Sequence, residues 1–513
     1  MRPLKPASLL LSLLLACLIA PFAIPAEPDT NPRPATGSLA VAGPDSGAPA
    51  RRASAPAALD TNLTRLVGDW TGALRAGGAW LRVVAHLQAR EGGFTGTLDS
   101  PDQMVTGLRM DTVLVQGDQF RFELRKLGAV YRGTIAPDAG TIQGVWSQGL
   151  QAMMLDFARL APLEQRRPQT PRRPYPYVEE EVVVENAAAG VRLAGTFTKP
   201  HGSGPFPAAL LIGGLGAQDR DEEVYEHRPF LVLADHLTRH GIAVLRLDDR
   251  GVGGSTGTLA LATLDDFIGD ASAAVRFLLA RPDVDSRRVG LVGHSEGGLV
   301  AARVAAAIRD VAFVVLLASP GVPGDSLLVL QGEAILQVMG EPSEMIAWNR
   351  RLQRIMFDEV KSAPDSASLR QRLTKVITVA LPLLPDSRRG QLNMENLTGQ
   401  VDMMSTRWFR SYVAYDPAPA LARLACPVLA VIGEKDLLVP PRENLPAIEK
   451  ALAAAGHRDF RAVLLPGLNH LFQSGGTGSP AEYGTLQETF APAALDTVTS
   501  WIEARVKPVA GSR

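Results

Sequence analysis

The chain predicts an α/β protein, with a mostly parallel eight-stranded sheet and a helical cap preceded in sequence by a small antiparallel β-domain. Three observations carry that expectation. Beyond residue 178, short apolar runs at 208–212, 242–247, 289–292, 312–317, 428–432 and 462–465 alternate with helical segments, the pattern of parallel strands buried on both faces. Two β-rich segments at 181–185 and 191–198 supply antiparallel leading strands and bring the number to eight. About a hundred residues then separate the strand ending near Ala318 from the one starting at Val428, too long for a structureless loop in a compact domain. Helical stretches such as LLVLQGEAILQVM (327–339) and MMSTRWFRSYV (403–413) lie there, so about residues 322–415 form an inserted cap.

Residues 59–162 have a different texture. Runs such as LRVVAHLQ (81–88), FRFEL (120–124) and VYRGTI (130–135) alternate with period two between glycine-rich turns, as in an antiparallel sheet or small barrel. Residues 163–177, rich in Arg and Pro, read as a linker to the domain at 178–513. At the other end, residues 1–26 carry Arg2 and Lys5, an apolar run and small residues ending near Ala26, which is the pattern of a secretory signal peptide. Pro21 and Pro25 interrupt that run near the minimum length for a span, which disfavours a stable membrane anchor. The apolar stretch continues past Cys17, which disfavours lipid attachment there. Residues 27–58, mostly Pro, Ala, Gly and Ser, read as a flexible tether. The expected location is therefore periplasmic or secreted.

Composition narrows the function. A formal net charge of -1, from 52 basic and 53 acidic residues, gives no electrostatic reason to bind nucleic acid and suits a small neutral substrate. Cys17 would leave with the signal, so Cys426 has no disulfide partner and reads as an inert thiol at the start of an apolar strand.

Gly-x-Ser-x-Gly occurs twice, at Ser295 in VGHSEGGLVAA (292–302) and at Ser255 in DDRGVGGSTG (248–257). A nucleophile elbow needs a buried strand running into the serine and a helix starting just after it. Ser295 has both, with VGLV (289–292) before it and GGLVAARVAAAI (297–308) after it. Ser255 lies several residues past its strand among glycines and reads as a turn residue, in a loop held by ion pairing of Asp248, Asp249 and Arg250.

A serine hydroxyl needs a base. Of eight histidines, His470 in VLLPGLNHLF (463–472) follows the last strand at the carboxyl edge, where it would reach the elbow, and His227 is the runner-up. His86 lies in the β-domain, His201 and His457 precede strands, and His294 points the other way along the elbow. His236 and His240 share a helix face at metal-binding spacing but lack a third ligand, so no metal site is expected. Asp436 in VIGEKDLLVPP (431–441) is the candidate acid, with Glu434 its rival, in the chain order serine, acid, histidine. The amides of Glu296 and Leu215 are candidates for the oxyanion hole, Leu215 following the glycine pair of IGGLGAQDRDE (212–222), with Gly216 as a substitute. Met403, Met404, Trp408 and Phe409 of the cap are candidates to line an acyl pocket, although a Met and aromatic stripe equally suits a helix core.

With GGLGAQDRD, RPFLVLADHL, LRLDDRGVGGSTG, GHSEGG, GEKDLLVPP and PGLNHLF in order, the chain from about residue 178 to 506 resembles the α/β hydrolase superfamily, specifically its serine aminopeptidase-like carboxylesterase branch. GDWTG, GTLDSPDQ and GVWSQG make residues 59–162 resemble a lipocalin-like domain fused ahead of such enzymes. The resemblance implies a serine esterase for short acyl esters, needing no metal or organic cofactor. Peptidase, amidase or thioesterase chemistry by the same triad is the alternative, and a ligand-binding role for the β-domain is the competing reading of that segment. In the first oxyanion segment, Gly213 stands where the family commonly has histidine.

Overall fold

The computed structural model describes residues 64–76, 79–90, 93–100, 105–148, 151–161, 166–384 and 394–506. The expected signal peptide and tether lie outside the described residues. Two compact units divide at Leu160 and Ala161.

The first unit is a ten-stranded antiparallel sheet between Gly68 and Arg159. Strand Gly93–Ser100 alternates strictly between buried and half-buried side chains, as period-two patterning requires. The buried face is aromatic. Phe122 stacks on Tyr131 at 5.1 Å, and Tyr131 meets Phe157 edge-on at 5.2 Å. Tyr131 fits there because Gly133 and Gly144 lack side chains, since a Cβ at either would lie 2.6 or 2.5 Å from its hydroxyl. Trp70, the centre of GDWTG, is fully buried and donates its indole N–H to the Leu66 carbonyl at 3.0 Å.

On the opposite face His86 bridges two strands, with Nδ1 2.7 Å from Asp69 and Nε2 3.1 Å from Asp99. These bonds, to Asp69 and then Asp99, raise its pKa to about 9 against an opposing burial cost.

The second unit is built on an eight-stranded sheet in the order Val178–Asn186, Val191–Lys199, Ala243–Leu247, Phe206–Ile212, Val284–His294, Val314–Leu317, Val428–Gly433, Phe460–Leu465. The first two ladders are antiparallel and the rest parallel. Along Phe206–Ile212, Ala208 and Leu210 enter one core while Ala209 and Leu211 enter the other, which is why this strand reads as a continuous apolar run. Helices Leu264–Leu279, Glu296–Ala307 and Pro441–Ala454 contribute to the first core, and Pro229–Arg239 and Pro492–Val506 to the second. Between Leu317 and Val428 the helices Gly324–Val338, Ser343–Ser362, Ser366–Ala380, Met394–Met404 and Arg407–Val413 form the inserted cap. Its Leu352, Met356, Phe357, Leu369 and Phe409 join the first core. Among the described residues no helix is long and apolar enough to cross a membrane.

Residues 166–177, expected as a linker, are strapped to this unit. Buried Arg167 donates to the carbonyls of Tyr225, Gly484 and Leu486, and Gln169 holds Thr489 and Phe490. A composition of Arg and Pro conceals this because each contact is to backbone far away in sequence.

The raised pKa of His86 sets a sign. Its charge stabilises the fold fully below about pH 6.5 and that contribution is lost as pH rises through about 9. His86→Gln should therefore flatten the decline in urea-unfolding midpoint between those pH values, a difference on the order of 1 kcal/mol after solvent screening.

Candidate active site

Strand Val284–His294 ends in Ser295, and helix Glu296–Ala307 begins at the next residue. Ser295 has φ 53° and ψ -119°, a left-handed conformation that costs energy for a residue with a side chain. The turn is tight enough to exclude side chains around it. A Cβ on Gly293 would lie 2.2 Å from the Gly297 carbonyl, one on Gly297 would lie 2.1 Å from the Ile212 carbonyl, and one on Gly298 would lie 2.3 Å from Ser319 Oγ. The Ser295 amide donates to the Leu317 carbonyl at 2.8 Å, tying the elbow to the neighbouring strand. Ser295 is half-buried while His294 and Glu296 are buried, so its side chain is the one at the rim.

Asp436 and His470 follow adjacent parallel strands at the same carboxyl edge. Their loops approach so closely that a Cβ on Gly433 would lie 2.3 Å from the Leu468 carbonyl. Asp436 Oδ1 accepts the amides of Leu438 and Val439 at 2.9 and 2.8 Å, leaving Oδ2 to accept from His470 Nδ1 at 2.8 Å. Both side chains are buried. Asn469, fully buried, holds the histidine loop by accepting the amides of Leu471 and Gln473. His470 is joined to the elbow through His294, whose Nε2 lies 3.0 Å from the His470 carbonyl and whose ring centroid lies 4.8 Å from that of His470.

The strand Phe206–Ile212 delivers the glycine pair to the same place. A Cβ on Gly214 would lie 3.3 Å from Ser295 Cβ. The Gly214 amide is committed to Glu222 Oε1 at 2.7 Å, and the Leu215 carbonyl accepts from Gln218 at 2.8 Å.

The rivals are committed elsewhere. His227 is buried between Thr489 and the Tyr483 carbonyl, and burial lowers its pKa to about 4. Glu434 accepts the Gly467 amide. Ser255 Oγ donates to the Asp248 carbonyl and accepts the Ala194 amide, as a turn residue does. His236 and His240 pack ring on ring at 4.4 Å. His457 is 2.8 Å from the Cys426 carbonyl, and burial raises the Cys426 thiol to about 11.

One expectation needs correction. Asp248 pairs with Arg220, and Arg250 with Asp266 and Asp270, but Asp249 has no such partner. It is half-buried beside Glu296, Asp270 and Glu222, and loss of hydration holds its carboxyl well above its ordinary pKa while it accepts the Gln218 amide at 3.2 Å. In the cap, where core and pocket readings were both open, Met404 and Phe409 are fully buried in the core. Trp408 alone of that group reaches the elbow, donating its indole N–H to Glu296 Oε1 at 2.8 Å. Burial raises the Glu296 carboxyl to about 7, partly offset by that bond. Glu222 is the residue the sequence concealed, because it sits in an acidic run that reads as solvated surface.

This sheet order, with its elbow serine and inserted cap, defines an α/β hydrolase. Residues 226–379 match the serine aminopeptidase (S33) family, and the chain is similar to the serine aminopeptidase-like α/β hydrolases. The esterase EstD of Thermotoga maritima is 26% identical over 357 residues, covering 69% of this chain and 75% of the relative. An uncharacterized protein of Mycobacterium tuberculosis is 32% identical over 182 residues, covering 36% of this chain and 57% of that one. The Pyrococcus furiosus esterase PF2001 superposes with a TM-score of 0.38 at 16% identity, covering 64% of this chain and 92% of that one.

Two outcomes follow from this geometry. Gly293→Ala should cost about 3 kcal/mol of stability, read by denaturant unfolding, because backbone lies where the methyl must go. Glu296, neutral more readily folded than unfolded, loses its favourable contribution as pH rises from 4.5 through about 7. Glu296→Gln should remove a pH-dependent loss on the order of 3 kcal/mol between those limits, measured as unfolding free energy against pH.

Proposed function

We propose that the chain hydrolyses carboxylic esters of short acyl chains through an acyl-serine intermediate, and that it is exported to do so. The observation that carries this is the buried 2.8 Å bond from His470 Nδ1 to Asp436, at the rim where the left-handed elbow presents Ser295. The esterase name of the Thermotoga maritima relative supports the ester preference, and the N-terminal signal pattern supports export.

In this reading Ser295 Oγ attacks the ester carbonyl carbon while His470 Nε2 takes its proton. Asp436 keeps the other ring nitrogen protonated and steadies the imidazolium. The oxyanion is met by the amides of Glu296 and Leu215. Glu296 opens its helix, where an amide has no intrahelical acceptor, and Leu215 follows the Gly214 amide already taken by Glu222. His470 then protonates the departing alcohol, and water, activated by the same ring, releases the acid and restores Ser295. The acyl group would lie toward the cap near Trp408. The family description names an aminopeptidase, so amide hydrolysis by the same groups is the second reading.

Ser295→Ala and His470→Ala should each lower kcat about a million-fold, and Asp436→Asn about ten-thousand-fold. Turnover of p-nitrophenyl butyrate should exceed that of aminoacyl anilides in the unsubstituted enzyme. Faster anilide turnover would select the peptidase reading, and a Ser295→Ala variant that keeps most of its activity would end both.

A further inference from the structure

Glu222 and His294 take no part in the proposed relay, yet their hydrogen bonds connect the oxyanion loop, the nucleophile elbow and the base loop. Glu222 Oε1 accepts from the Gly214 amide at 2.7 Å and lies 2.8 Å from His294 Nδ1. His294 Nε2 lies 3.0 Å from the main-chain carbonyl of His470. Both side chains are buried, so the cost of leaving a polar group without a partner is high at each end. Glu222 is itself held in a left-handed conformation, φ 54°, by a turn in which its amide donates to the Asp219 carbonyl at 3.0 Å while Asp219 Oδ1 accepts the amides of Asp221 and Glu223. Backbone strain at a residue with a side chain persists where surroundings over-determine it.

The partners dictate the protons. A main-chain carbonyl only accepts, so Nε2 of His294 must carry a hydrogen. On the other side Nδ1 faces a carboxylate oxygen that already accepts the Gly214 amide. An ionised carboxylate there requires a second ring hydrogen, giving an imidazolium beside its counter-charge. Burial opposes that charge, but the Glu222 carboxylate and its hydrogen bond, together with the His470 carbonyl and the Asp436 charge, outweigh it and raise the His294 pKa. The other groups facing this ring are the His470 ring, the more distant Asp436 carboxylate and the Phe472 edge.

We propose that His294 is a doubly protonated positioning residue, with Glu222 as its counter-charge, and that the pair clamps the oxyanion loop, the nucleophile elbow and the base loop into one register. The inference rests on the Ser295, His470 and Asp436 reading, because it is their relative placement that the clamp secures. One oxygen of Glu222 sets the Gly214 backbone beside Ser295, and one nitrogen of His294 sets the backbone from which the His470 ring projects. Misplacing a reacting group by about 1 Å costs on the order of a hundred-fold in rate, so the clamp acts on turnover more than on binding.

The test is Glu222→Gln, an isosteric change that removes the counter-charge, with p-nitrophenyl butyrate as substrate. The expected result is kcat lowered about 10- to 100-fold with KM within about threefold. In protein labelled with 15N-histidine, the unsubstituted enzyme should show two rings with both nitrogens protonated at neutral pH, one from His86, which His86→Gln removes, and one from His294, and Glu222→Gln should lose one of the two His294 N–H signals. Both signals should persist in Ser295→Ala, whose turnover is abolished, so failure of the relay and failure of the clamp are read separately. A kcat within about twofold of the unsubstituted enzyme in Glu222→Gln, or no doubly protonated histidine ring besides that of His86 at neutral pH, overturns the proposal. The spectroscopic measurement on the unsubstituted chain decides the protonation state even if the variant folds poorly.

Discussion

The left-handed backbone at Ser295 is the constraint around which this site is organised. A serine in that conformation is unfavourable by itself and survives because the chain packs backbone against backbone on every side of it. Gly293, Gly297 and Gly298 are the means. Each stands where a single added carbon would overlap a carbonyl or a hydroxyl, so the strand before the elbow, the helix after it and the strand ending at Ile212 close to a separation that side chains would forbid. The parallel sheet supplies the rest, ending three further connections at the same carboxyl edge, which is where open α/β sheets place their chemistry.

The polar groups beneath that rim form a graded set. Asp436 has both oxygens engaged and serves one imidazole. Glu222 spans two loops with one oxygen. Asp249 and Glu296 lack cationic partners and are pushed toward the neutral form by burial, with Glu296 answered only by the Trp408 indole of the cap. Asp249 feels the charges of Glu296 and Glu222 as well as its own loss of hydration, and these together hold it toward the neutral form. The hydrogen bond from the Trp408 indole to Glu296 links the inserted cap to the residue that follows Ser295, so cap placement and elbow electrostatics are coupled.

Much of this was legible in the sequence, for identifiable reasons. Ser295 stood out from Ser255 because a strand ran into one and glycines surrounded the other, while apolar runs marked six strands of the sheet and β-rich segments the two leading ones. Asp436 and His470 were findable because each follows a strand at its carboxyl end. Glu222 was not, since its role depends on a turn that folds an acidic loop under the elbow, and nothing in DRDEE distinguishes a buried carboxylate from a solvated one. The strap at residues 166–177 escaped for a related reason, as Arg167 is satisfied by carbonyls more than fifty residues distant. The Met and aromatic stripe of the cap had two readings, and burial decided for core at Met404 and Phe409 but not at Trp408.

The central claim is that the oxygen of Ser295 becomes covalently acylated during turnover. Quenching the enzyme in acid while it hydrolyses p-nitrophenyl butyrate, then mapping peptides by mass spectrometry, measures this directly. The account predicts a butyryl group on the peptide carrying VGHSEGG, localised to Ser295 and absent when substrate is omitted. A butyryl group found reproducibly on another side chain, with Ser295 unmodified at full turnover, would contradict it.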